Sequence, residues 1–168
     1  MSHNFNTDGG IHRIPLEGTV GQLYVCGKHH IGPHVQAVIN QHNIAKVVCL
    51  VEEHELAGRY DSYIQWHKDN EGAASLWRPM HDLTYPDFPA AVDFVHEVAA
   101  TVRDHGNVVV HCAAGIGRAG TTAVAVCMIL GMDQQEALDH VRAHRPMAGP
   151  EAGSQVLFIE ELAEFLRQ

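Results

Sequence analysis

At 168 residues, with 46% hydrophobic and 18% charged positions, the chain is long enough for one domain with a full apolar core, and its composition is that of an ordinary globular protein. A net charge of -9 argues against nucleic acid or an acidic membrane surface as the main partner, because both recruit basic patches. No apolar run approaches the roughly 18 residues of a membrane span, and the opening MSHNFNTDGG lacks the basic-then-apolar order of a secretory signal, so a cytoplasmic protein is expected. Cys26, Cys49, Cys112 and Cys127 form no C-x-x-C pair, which fits reduced thiols better than a disulfide framework. Fourteen histidines are scattered, with no His-Glu-x-x-His pattern, so neither a metal nor a cofactor is expected.

QLYVCG (22–27) is a short apolar run closed by glycine and predicts a strand. PHVQAVINQH (33–42) carries Val35, Val38 and Ile39 at helical spacing behind a proline suited to a helix start. AKVVCLV (45–51) predicts a buried strand. Residues 53–70 read as a polar loop and then a helix, SLWRPM (75–80) as a strand, and HDLTYPDFPA (81–90) as a loop punctuated by two prolines. A helix over 91–106 stops at glycine, and NVVVHC (107–112) is a further apolar strand. An apolar helix follows over 119–131, then a helix over 133–146 that opens with a capping box of Asp133 and Glu136, then an amphipathic helix over 154–168. This alternation predicts an α/β fold with a mostly parallel sheet of four to five strands flanked by helices. Nothing divides the chain, so 1–168 reads as a single domain with residues 1–20 as an N-terminal extension.

In such sheets ligands sit beyond the carboxyl ends of the strands. Cys112 stands at that end of its strand, and CAAGIGR (112–118) leads from it into a helix N-terminus, where backbone N–H groups are unpaired and partly positive. Gly115 and Gly117 permit positive φ, so successive N–H groups of Ala113, Ala114, Gly115, Ile116 and Gly117 can turn inward as an anion nest. Arg118 adds a planar fork of donors suited to two phosphate oxygens. The field that holds an anion also favours a thiolate, so Cys112 is a candidate nucleophile toward a bound phosphoryl group.

HCAAGIGRAGT (111–121) resembles the His-Cys-x5-Arg signature of the cysteine-based protein tyrosine phosphatase superfamily, and is most similar to its small dual-specificity-type members. The resemblance extends over residues 20–167 and includes the strand before the motif, the apolar helix after it, and a later helix ending in Arg-Pro. It implies a protein tyrosine phosphatase-like fold and hydrolysis of phosphomonoesters through a cysteinyl-phosphate, without metal. By the same resemblance His111 supports the loop and an aspartate some thirty residues before the cysteine protonates the leaving group. Asp82, thirty residues before Cys112, is the preferred candidate, with Asp87 in YPDFP the alternative. Gln155 is the candidate for placing the water of the second step. Its competing reading is an ordinary polar residue in the first turn of a helix.

One departure from the family stands out. The hydroxyl residue that usually follows the arginine is Ala119 here. A missing hydrogen bond to a charged group is worth on the order of 1.5–3 kcal/mol, so an active but slow enzyme is expected. Cys49 ends a neighbouring strand and reads as core packing, although some relatives pair such a cysteine with the nucleophile. The implied partner is a phosphorylated protein or a small phosphomonoester. Ala113, Ala114 and Ile116 leave the loop without the lysines that favour phosphoinositides in some relatives. The sequence does not define the oligomeric state. The competing readings are a phosphatase of a soluble metabolite or a phosphoinositide, a phosphate-binding protein without catalysis, and a rhodanese-like sulfur transferase, whose loop is typically one residue shorter.

Overall fold

The structure is a computed structural model and describes residues 10–168. Three apolar runs form its centre: β2 (Leu23–Gly27), β3 (Ile44–Cys49) and β5 (Asn107–Cys112). Val108, Val109 and Val110 of β5 are fully buried, as a strand covered on both faces requires. β5 lies between β2 and β3 and is parallel to both, and β4 (Ser75–Trp77) adds in parallel beyond β3. The register sets Cys112 beside Gly27, and His111 beside Cys26 on one flank and Cys49 on the other.

The fifth strand, β1 (His12–Ile14), pairs antiparallel with β2 and completes the order β1-β2-β5-β3-β4. This corrects the reading of residues 1–20 as an extension. Three residues are too short to show alternation, yet Ile14 is fully buried, and residues 12–14 belong to the sheet. The remainder of that expectation, over residues 1–9, lies outside the described residues.

A one-turn α1 (Lys28–Ile31) was not expected, and the other helices follow the expected order: α2 (Val35–His42), α3 (Asp61–Asp69), α4 (Phe88–Asp104), α5 (Arg118–Ile129), α6 (Gln134–His144) and α7 (Gly153–Leu166). α5 packs between α4, α6 and α7 and against β2 and β5, and every residue from Arg118 to Met128 is buried. An apolar helix immediately after a central strand has no other way to hide all of its faces. Asp133 caps α6 by accepting from the Glu136 N–H, but no reciprocal bond completes a capping box. No described helix is long and apolar enough to cross a membrane.

Candidate active site

The loop between β5 and α5 is held from outside by its carbonyls. The Ala113 carbonyl accepts from the Lys28 N–H at 2.9 Å and that of Ile116 from the Gly149 N–H at 3.0 Å. Arg145 takes the two between them, donating from Nη2 to Ala114 O at 2.9 Å and from Nε to Gly115 O at 2.7 Å. In a planar trans peptide the N–H of the next residue points opposite to the carbonyl. Four carbonyls tied outward therefore turn the N–H groups of Ala114, Gly115, Ile116 and Gly117 toward the inside. An anion nest has this arrangement, here with four N–H groups and without that of Ala113.

The two glycines earn their places differently. Gly115 has φ +73, and a side chain there would also strike the Cys26 backbone and Arg145. Gly117 has φ -78, against the expectation of positive φ, and is needed for close approach instead. A side chain at 117 would collide with the carboxylate of Glu151 and crowd the Gln155 amide.

Cys112 closes β5 at the base of this nest and is 3% exposed. Its Sγ accepts from the Ala119 N–H at 3.4 Å, so the sulfur faces the first turn of α5. Arg118 opens that helix and is 1% exposed. Its Nη1 and Nη2 donate to the two carboxylate oxygens of Glu55 at 2.8 and 2.9 Å, and Nη1 also donates to Met80 O at 2.9 Å. Its Nε is buried with no hydrogen-bond partner. A guanidinium clamped on one edge with a bare donor on the other is arranged to receive an oxyanion. Burial opposes ionisation of Glu55, but hydrogen bonds from Arg118 and the Glu52 backbone outweigh it and hold the carboxyl below its ordinary range.

Of the two aspartates, the structure brings one to the loop. Asp82 Oδ1 lies 3.4 Å from Arg118 Nη2, with its side chain 64% exposed. Asp87 occupies the N-cap position of α4 and bonds none of the site residues. The 81–87 loop is anchored to the neighbouring helices. The Tyr85 N–H donates to Ser154 Oγ at 2.9 Å, and the Tyr85 hydroxyl pairs with Thr122 Oγ1 at 2.6 Å. Gln155 is fully buried; its Nε2 donates to Thr84 O at 3.4 Å, and its Oε1 accepts from the Glu151 N–H at 2.9 Å. It thus stands beside Gly117 while tying α7 to the aspartate loop.

His111 is fully buried, with Nδ1 3.1 Å from Cys112 O and Nε2 2.7 Å from the Tyr63 hydroxyl. Burial, helped by the nearby Arg118 charge, lowers its pKa to about 4, so the ring is neutral at physiological pH. A neutral ring donating from Nδ1 fixes the carbonyl from which the loop departs.

Sequence reasoning missed Glu55, Arg145 and Tyr63. Glu55 and Tyr63 lie about fifty residues or more from their partners, and no local pattern marks them. Arg145 was visible only as part of an Arg-Pro pair at a helix end.

A five-stranded, largely parallel sheet with a cysteine, an anion nest and an arginine at the carboxyl end of its central strand defines the class: an α/β protein built to hold an oxyanion against a sulfur. Residues 23–168 match the family described as dual specificity phosphatase, catalytic domain, and the chain belongs to that family. It is 35% identical over 98 residues to rat dual specificity protein phosphatase 15, covering 51% of this chain and 40% of that protein. It is 41% identical over 78 residues to Arabidopsis thaliana dual specificity protein phosphatase 1, covering 46% and 36%. The matches therefore span less than half the length of these curated relatives. Among solved structures, Tk-PTP in its active form superposes with a TM-score of 0.69 at 29% identity, over 90% of this chain and 96% of that one.

Proposed function

We propose that the chain is a protein tyrosine or dual specificity phosphatase that hydrolyses phosphomonoesters through a cysteinyl-phosphate. The observation that carries this reading is the 112–118 loop, with four carbonyls turned out and the Cys112 sulfur at its base. The non-bridging oxygens of the substrate bind the inward N–H groups and the bare Nε of Arg118. The Cys112 sulfur attacks phosphorus in line, the bond from phosphorus to the leaving oxygen breaks, and Asp82 delivers a proton to that oxygen. Positioning and charge stabilisation carry most of the rate, because phosphoryl transfer asks little covalent chemistry of the protein. Water then attacks phosphorus and gives its proton to Asp82. The S–P bond breaks, which releases phosphate and restores the sulfur. Proton transfer of this kind is worth typically ~10²–10⁴-fold.

A phosphorylated protein is the preferred substrate class, since the loop residues Ala113, Ala114 and Ile116 add no positive charge for a polyphosphorylated headgroup. Four cysteines with no C-x-x-C pair support a cytoplasmic setting. The test is hydrolysis of 4-nitrophenyl phosphate without added metal, wild type beside Cys112→Ser. Activity lost in the variant supports the reading. Absence of activity in both, with phosphate or vanadate still bound, would make the protein a phosphate-binding module instead. Phosphotyrosine and phosphoserine peptides run beside a phosphoinositide then separate the substrate classes.

A further inference from the structure

We propose that Cys49, His67 and His111 form a binding site for a zinc-like divalent cation directly behind the phosphate-binding loop. The three residues come from β3, α3 and β5, and all are buried. Cys49 and His111 are register partners on adjacent parallel strands, so their side chains emerge on the same face. α3 crosses that face and lowers His67 onto them, with Tyr63 one turn earlier. One ligand atom from each of the three residues lies within 4.8 Å of the others. Ligand atoms in a tetrahedral zinc site, with bonds of about 2.0–2.3 Å, stand roughly 3.3–3.6 Å apart. A contraction on the order of 1 Å would therefore close the site.

Two further observations point to a ligand. His67 is 2% exposed, yet its Nε2 has no hydrogen-bond partner. Its Nδ1 is held at 2.6 Å by Ser75 Oγ, which fixes the ring. His111 is fixed in the same manner, with Nδ1 on Cys112 O and Nε2 facing inward. An oxygen on the far nitrogen of each imidazole is the outer-shell arrangement of metal-ligating histidines. The Tyr63 hydroxyl, 2.7 Å from His111 Nε2, holds that nitrogen's lone pair while the site is empty, and cation binding transfers the lone pair to the metal and leaves the hydroxyl oxygen placed as a fourth ligand. A cleft of about 630 Å³ borders the site on its His67 side, lined by Glu71, Ser75 and Trp77 together with the cationic Lys46 and Lys68, but it stops short of Cys49 and His111.

The donor set is one sulfur and two imidazole nitrogens, which selects zinc over magnesium or calcium. Binding forms a metal–sulfur bond and releases the Cys49 thiol proton to solvent. The two imidazoles are already neutral, because burial lowers His67 to about 3 and His111 to about 4. The three ligands are separated by 18 and 44 residues, which is why no metal motif shows in the sequence.

The experiment uses cobalt as a spectroscopic stand-in for zinc, in the full chain carrying Cys112→Ser so that the loop sulfur cannot contribute. One equivalent of cobalt is expected to give a sulfur-to-metal charge-transfer band with the intense visible bands of tetrahedral coordination, and one equivalent of zinc should abolish both. Cys49→Ser is expected to remove the charge-transfer band. His67→Gln is expected to weaken binding at least about tenfold. Circular dichroism checks that both variants are folded, and if Cys49→Ser is not, His67→Gln alone decides. No charge-transfer band in the Cys112→Ser protein overturns the proposal. So does a band that survives both substitutions unchanged, since the cation would then sit elsewhere. Neither readout depends on phosphatase activity.

Discussion

Ala119 offers the Cys112 sulfur a backbone N–H, at 3.4 Å, and its side chain carries no hydrogen-bond donor. A hydroxyl at this position would add a second donor to the sulfur as it leaves phosphorus. Neighbouring hydroxyls do not supply one. Thr122 Oγ1 donates to Arg118 O and pairs with Tyr85, and Thr121 Oγ1 is buried without a partner. Breakdown of the cysteinyl-phosphate should therefore limit turnover in the wild type. Ala119→Ser is expected to raise the steady-state rate by about 10-fold, equivalent to about 1.4 kcal/mol. Rapid-quench kinetics with 4-nitrophenyl phosphate check this. The wild type should show a burst of nitrophenol that shrinks in the variant, whereas an unchanged rate with no burst in either would mean that the first step limits.

Among the elements, the 81–87 loop decides which aspartate can act. Its anchors at Tyr85, Ser154 and Gln155 hold Asp82 over Arg118, while Asp87 stands at the N-cap position of α4 with no side-chain bond to the helix. Asp82→Asn is expected to lower kcat by ~10²–10⁴-fold, because an amide cannot deliver the proton that the leaving oxygen needs. Asp87→Asn should stay within about twofold of wild type. The reverse ranking of the two variants in steady-state kcat would transfer the role to Asp87. Chain order and the Cys112–Arg118 loop were legible in the sequence because they are local: apolar runs, glycines and a helix start lie within a few residues of one another. β1 was not, because three residues carry no period and its pairing with β2 depends on the fold. The reason for Gly117 was also hidden, since it depends on Glu151 arriving from thirty-four residues further on.

For the whole molecule, the buried histidines tie stability to pH. Burial lowers His67 to about 3 and His111 to about 4, whereas both return to about 6.5 on unfolding. Between about pH 4 and 6.5 the unfolded chain binds two protons that the native chain does not, so stability rises with pH across this window and is lost on acidification. Glu55 acts in the same direction, since a carboxyl held below its ordinary range stabilises the fold only while it is ionised. At pH 5 each histidine has cost about 2 kcal/mol relative to neutral pH, for a sum of roughly 4 kcal/mol. Against a typical domain stability of about 5–15 kcal/mol that is a large share. Urea unfolding followed by tryptophan fluorescence at pH 7.5, 6.5, 5.5 and 5.0 is expected to show a midpoint that falls steadily below pH 6.5 at constant slope. His67→Gln removes one titrating group and should flatten that decline by about half, at the expense of the bond to Ser75. A midpoint unchanged from pH 7.5 to 5.0 would mean that the two imidazoles are hydrated in the native state. They would then not form the dry support on which the phosphate-binding loop rests.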